Sequence, residues 1–236
     1  MKHRAAKPVT AVIEAAHLRH RESLPFDDTT DFDDADRGFI AALSPCVITA
    51  ADGRVVWDND SYAFLAADCP TSVHPSLWRQ SKLAAKQGLY QVTEGIYQVR
   101  GLDLSNITFV DGATGVIVID PLICTEVAAA ALALYREHRG NRAVSAVIYT
   151  HSHVDHFGGV LGVTSPADVD AGRVAVIRRR GSSSMRSPRT SPPAPRWPAA
   201  RATCTAPSCR ADRTARSAAG WARPPPPARW ASSCRP

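Results

Sequence analysis

From residue 178 to its end at residue 236 the sequence contains no Leu, Ile, Val, Phe or Tyr. Such a segment buries too little apolar surface to offset the entropy of ordering it. Any packed core must therefore come from residues 1–177. The same boundary divides the charge. Residues 178–236 hold 13 of the 28 Lys+Arg, all of them Arg, against one acid, Asp212. Residues 1–177 hold 15 basic and 21 acidic side chains, a net of −6. The formal +6 of the whole chain thus originates in its last segment, and the basic total does not make the body a specific nucleic-acid or anionic-membrane binder. The Arg-, Pro- and Ala-rich segment 178–236 reads as a disordered tail.

Within the body, no apolar run reaches the ~20 residues of a membrane span. The basic start Lys2-His3-Arg4 is followed by Glu14, His17, Arg19, His20 and Arg21, with no long apolar stretch. That predicts no signal peptide and a cytoplasmic chain. Cys46, Cys69 and Cys124 are scattered and form no CxxC pair. They fit small buried side chains in a reducing compartment.

Residues 9–22 have helical spacing and predict a short amphipathic lead-in, with residues 1–23 set apart from the domain that follows. The segment FDDTTDFDDADRGF at 26–39 reads as an acidic solvated loop with aromatic anchors. CVITA and RVVW flank Asp52-Gly53, a hairpin signal. Trp57 to Leu65 opens a short helix, and Pro70 and Pro75 break the next stretch. LYQVT, IYQVR, ITFVD and GVIVID, punctuated by glycines, predict a β-meander over 89–119. Thr125 suits an N-cap, Glu126 to His138 a helix, and Gly140 its stop. Ala143 to Tyr149 is an apolar run of buried-strand type, and Arg173 to Ile177 starts another. His74, beside Pro75, reads as a turn residue, and His138 as a partner of the helix dipole. Strands followed by strand–helix–strand predict a layered α/β fold, with polar chemistry at the carboxyl end of a buried strand.

That chemistry lies at Thr-His-Ser-His-Val-Asp-His-Phe-Gly-Gly-Val, residues 150–160. His151, His153, Asp155 and His156 offer neutral imidazoles and a carboxylate, donors suited to zinc. His151 and His153 are placed to share one metal, and the adjacent Asp155 and His156 to face a second. Two metals about 4 Å apart bind water between them and clamp substrate oxygens. Gly158-Gly159 lets the chain turn tightly or approach the metals closely. The HxHxDH spacing behind an apolar strand separates this cluster from a chance group of surface histidines.

The HxHxDH pattern resembles the signature of the metallo-β-lactamase superfamily, and further segments are similar to its alkyl sulfatases. They are LPFDDTTDFDDADRGFIA at 24–41, VVWDN at 55–59, PSLWRQSKL at 75–83, GLYQVTEGIYQVRGLDLSNITFV at 88–110, IDPL at 119–122 and VIYTHSHVDHFGGV at 147–160. The resemblance implies an α/β chain that is the N-terminal part of a metallo-β-lactamase αββα sandwich, spanning 24–177. It implies zinc-dependent hydrolysis of long-chain alkyl sulfate esters by metal-activated water, with two zinc ions per intact site and no catalytic residue separate from that water. His151 and His153 would hold one zinc, Asp155 and His156 the other. Asp120 resembles the superfamily aspartate that supports the metal loop from behind, with Thr150 beside it; a capping role is its other reading. The substrate would be a small-molecule alkyl sulfate and the full-length family a homodimer. Another hydrolase of the same fold, thioesterase or lactonase-like, is the alternative, and a non-catalytic fragment or an Arg-tail nucleic-acid binder the third reading.

The family also implies further acidic and His ligands, sulfate-binding residues, a dimerisation segment and a lipid-transfer-like domain, none of which can be located in this sequence. Weak metal retention, poor solubility and impaired activity are expected from a partial sandwich. The family continues after VAVI with a stretch like APEGFLEHAVSEN, and one deleted base in a GC-rich coding sequence turns this into RRRGSSSMRSPR, as found after Ile177. A family-like AMARRAGYMYGA shifts likewise into RWPAARATCTAP, residues 196–207. Segment 178–236 is therefore expected to be a frame-shifted product or a sequencing error, which resequencing the gene decides.

Overall fold

A computed structural model describes residues 8–178, whose contacts fall into two compact units. The first combines residues 8–36 with 61–86, and the second combines 37–60 with 87–178.

In the first unit, Thr10 caps helix α1 (Ala11–Ser23), its side chain accepting from Ile13 N. The helix forms, but not as the amphipathic element expected. None of its residues is buried, and Val12 and Leu18 are largely exposed, because its apolar residues do not gather into one stripe. α2 (Thr30–Asp36) replaces the acidic loop expected there. Its order comes from Arg79 on α3 (Pro75–Ala84), which bonds the Asp31 carboxylate and the Phe26 and Asp28 carbonyls. Its guanidinium also lies 4.9 Å from the centre of the Phe32 ring. Pro75 opens α3 rather than breaking the chain, since the first helical position needs no N–H. Leu65, Val73 and Trp78 form the small core.

The second unit is built on a seven-stranded mixed sheet. β1 (Phe39–Ala41), β4 (Gly88–Thr93), β5 (Ile96–Arg100), β6 (Ile107–Asp111) and β7 (Val116–Ile119) run antiparallel in that order. β8 (Val144–Tyr149) and β9 (Ala175–Arg178) continue the sheet in parallel. Arg178, the first residue of the expected tail, is thus the last of a strand; the rest of that segment lies outside the described residues. β2 (Val47–Thr49) and β3 (Val55–Asp58) pair as the expected hairpin.

Alternation along the strands sends Tyr97, Val99, Ile107, Phe109, Val116, Val118, Val147 and Tyr149 to the buried side. Helix α4 (Thr125–Arg139) packs there through Val127, Ala128, Ala131, Leu132, Leu134 and Tyr135. Each large side chain so buried contributes roughly 1.5–3 kcal/mol. Tyr135 stacks on Phe109 with ring centres 4.5 Å apart and donates its hydroxyl to Asp111. Gly140 ends the helix at φ +91. Its N-cap is Cys124, without a side-chain bond, so Thr125 is already helical rather than the cap expected. Short α5 (Pro166–Asp170) leads into β9. Cys46 and Cys124 are buried and Cys69 is half-buried. No described helix is long and apolar enough to cross a membrane.

Candidate metal centre

β7 and β8 are parallel neighbours, so their carboxyl ends open on one edge of the sheet. The chain leaves β7 through Asp120-Pro121-Leu122-Ile123-Cys124 into α4 and leaves β8 through Thr150 into the histidine loop. Asp120 and Leu122 hold φ of +55 and +61. Aspartate tolerates this region, but a buried leucine occupies it only when its surroundings fix it there. Leu122 N–H donates to the Asp120 carbonyl at 2.8 Å, and its own carbonyl accepts from Gly159 N at 2.9 Å.

Asp120 is 8 % exposed, and its carboxylate is the hub of the site. Oδ1 accepts from Thr150 N at 2.8 Å, while Oδ2 accepts from Thr150 Oγ1 at 2.7 Å and His156 Nδ1 at 2.9 Å. These bonds fix the ring protons. The Thr150 hydroxyl gives its hydrogen to Asp120, so it accepts from His151 Nδ1, 2.9 Å away. These bonds place a hydrogen on Nδ1 of both His151 and His156, which leaves Nε2 as the nitrogen that can take a metal.

Each Nε2 has a further potential metal donor beside it. His151 Nε2 is 3.1 Å from His153 Nδ1, and His156 Nε2 is 3.3 Å from Asp155 Oδ2. Each pair is bridged by a ring hydrogen or, in its place, by a metal ion. Ligands on one tetrahedral zinc at 2.0–2.1 Å stand roughly 3.3 Å apart. Both pairs match that bite, so the donor set fits zinc. The two pairs adjoin, with the His151 and His156 rings 4.0 Å apart. One ligand atom each from Asp120, His151 and His156 lie within 4.8 Å of one another. His153 and Asp155 flank this group. His151 and His153 are exposed, Asp155 and His156 half-buried.

The loop is not strand-like past His153. Val154–His156 form a 3-10 turn, with His156 N bonded to the His153 carbonyl at 3.0 Å. Below it, Tyr149 packs against Phe157 with ring centres 5.9 Å apart. Burial pushes the Tyr149 phenol up to about 12, with Arg178 opposing, so it stays protonated near neutral pH. The glycines act on protein backbone rather than on the metal donors. A Cβ on Gly158 would stand 2.2 Å from the Ile123 carbonyl oxygen, and one on Gly162 2.2 Å from that of Thr125. His138 lies exposed in the last turn of α4 beside Arg136 and Arg139.

The β5–β6 loop also reaches the site, which sequence reasoning missed. Asp103 Oδ2 accepts from Ile123 N at 2.6 Å, and the Ser105 hydroxyl donates to the Asp155 carbonyl. The only signal in the sequence was a polar pair inside the otherwise apolar run around Leu102 and Leu104.

The family model of the metallo-beta-lactamase superfamily matches residues 100–227. The linear primary-alkylsulfatase of a Pseudomonas species is 51 % identical over 178 residues, 75 % of this chain and 26 % of that protein. The alkyl/aryl-sulfatase BDS1 of Saccharomyces cerevisiae is 50 % identical over 163 residues, 69 % of this chain and 25 % of that protein. Among solved structures, the stereoselective inverting sec-alkylsulfatase Pisa1 from a Pseudomonas species superposes with a TM-score of 0.69 at 46 % identity, covering 73 % of this chain and 27 % of that one. The chain spans about a quarter of the length of the curated relatives it matches.

Proposed function

Because the chain belongs to the metallo-beta-lactamase superfamily, we propose that it carries the metal-binding loop of an alkyl sulfatase, hydrolysing an alkyl sulfate ester to alcohol and sulfate. The observation that carries this reading is the pairing of potential metal donors, His151 with His153 and His156 with Asp155, at 3.1 and 3.3 Å on one loop. The alkylsulfatases at about half identity support the sulfate ester as substrate.

His151 and His153 would hold one zinc, and His156 and Asp155 the other. Bound zinc supplies Lewis acidity, which draws charge from ester oxygens and lowers the pKa of water. The protein's own work is orientation. Asp120 accepts His156 Nδ1–H directly and reaches His151 through the Thr150 hydroxyl. One buried carboxylate thereby sets the tautomer of both imidazoles, aims both Nε2 atoms outward and makes them better donors.

The test is zinc uptake by the chain and product release from two long-chain substrates. The chain is expected to bind zinc weakly and to lose most of it in a His151→Ala/His153→Ala double variant; with the reading frame restored after Ile177, the protein is expected to release sulfate from dodecyl sulfate. Equal uptake by that variant overturns the metal assignment. Cleavage of a long-chain acyl thioester in place of the sulfate ester overturns the substrate.

A further inference from the structure

The six-residue loop Gly101-Leu102-Asp103-Leu104-Ser105-Asn106 joins β5 to β6, and four of its residues are buried, Asp103 and Ser105 among them. Connecting loops ordinarily run over the surface, because buried backbone and charge must find partners. Asp103 is 5 % exposed, and each of its oxygens accepts a backbone N–H, Leu104 N at 2.5 Å and Ile123 N at 2.6 Å. Such charge-assisted bonds are short and strong, and they make a buried carboxylate tolerable. Ile123 follows Leu122, the residue held at φ +61, and lies three positions past Asp120. Ser105 is 8 % exposed, and its hydroxyl donates to the carbonyl of Asp155, next to His156.

One loop thus grips both segments that make the metal centre. Asp103 holds the segment that carries Asp120, and Ser105 holds the segment that carries the histidines. An apolar core has no need of a carboxylate and a hydroxyl here; leucine and alanine would fill the space without burying charge. We propose that Asp103 and Ser105 are positioning residues, which fix the spacing between Asp120 and the His151–His156 loop and so hold the four donors at ligating distance. This rests on the metal reading above, but the alignment it describes can be read from the histidine rings without any metal bound.

Ser105→Ala removes one oxygen atom and is the first variant to make; Asp103→Asn, which sets an amide N–H against a backbone N–H, is the second, and Ser105→Thr keeps the hydroxyl. The readouts are the ring nitrogen and proton resonances of His151 and His156 in the metal-free protein, and zinc affinity by chelator competition with the absorption bands of the Co(II) form. Ser105→Ala is expected to shift the His156 ring resonances, to weaken zinc binding by about tenfold or more, and to move the Co(II) bands while leaving the urea midpoint near that of the parent. Ser105→Thr is expected to restore all three. Unchanged ring resonances in both Ser105→Ala and Asp103→Asn overturn the proposal. A parent chain that takes up no zinc removes the metal reading, while the ring resonances still decide whether the clamp exists.

Discussion

A Cβ built on Gly159 would stand 2.2 Å from the Pro121 carbonyl oxygen, 2.5 Å from that of Cys124 and 2.9 Å from the Ala128 side chain. Its φ of −88 is open to any residue, so the requirement for glycine is one of space alone. Gly159→Ala is expected to cost about 1–3 kcal/mol in urea unfolding and to lower zinc affinity, because the displaced segment 121–124 follows Asp120 directly. A variant as stable as the parent would show that the loop is looser than these contacts require. The sequence pointed to Gly158-Gly159 but not to what they touch, since close approach of backbone to backbone leaves no trace in residue type beyond the glycine. His151, His153, Asp155 and His156 stood out as a group because metal chemistry restricts donors to a few side chains at short spacing, whereas Asp120, thirty positions earlier, entered only through its resemblance to the superfamily aspartate. His74 was half legible. It stands at a turn, as expected, but its Nδ1 accepts from Ser76 N at 3.2 Å and caps α3. Its Nε2 then donates to His20 Nδ1 at 2.8 Å. Burial, with His20 and His17 nearby, holds its ring below the ordinary histidine value.

Strands β4 to β8 and helix α4 could be read from the sequence because burial on one side imposes alternation on a strand and a stripe on a helix. α3 could not, because a proline that ends one element also starts another. α2 is held by a distant arginine rather than by its own pattern. α5 is a five-residue helix made by its cap. The Ser165 hydroxyl accepts from Asp168 N at 3.1 Å and donates to Asp168 Oδ2 at 2.6 Å, while Arg173 Nε bonds Oδ1 at 2.9 Å. The Ser165 bond first and then Arg173 hold the Asp168 carboxyl below its ordinary value of 3.8. A carboxylate whose folded pKa is depressed adds stability above its unfolded pKa and loses it as pH falls through the folded value. The turn from α5 into β9 is therefore expected to loosen below about pH 4. Amide exchange at Arg173 and Val174, both bonded to the Asp168 carbonyl, reads this directly. In Asp168→Asn that acid-dependent change should vanish, with low protection at every pH; a variant that keeps the parent's pH profile would assign the effect to another group.

At the scale of the whole molecule, the division into two units follows from contacts that no local pattern encodes. Residues 8–36 find residues 61–86 across a segment that folds elsewhere, through His17 on the Thr71 carbonyl, Arg21 on the Cys69 carbonyl and Arg79 on Asp31. Such pairings depend on partners some fifty positions away, whereas the hairpins of the sheet unit depend on neighbours. The units also differ in what stabilises them. The sheet unit has a continuous core that joins both sides of α4 to β5 through β8, and its backbone bonds are shielded by side chains such as Tyr97, Phe109 and Val118. The helical unit has Leu65, Val73 and Trp78 at its centre, and α1 buries nothing. Its cohesion rests on exposed polar contacts, each worth about 1 kcal/mol or less, which salt weakens. Local opening follows buried apolar contact, so the two should exchange amide hydrogen at different free energies. In native-state exchange read by mass spectrometry, peptides from α1 and α2 are expected to open well below the unfolding free energy, and faster still in molar salt. Peptides from β5 to β8 and α4 are expected to exchange only with global unfolding and to respond weakly to salt. Equal protection of α1 and β7 would mean that the helical unit draws on more burial than Leu65, Val73 and Trp78 provide.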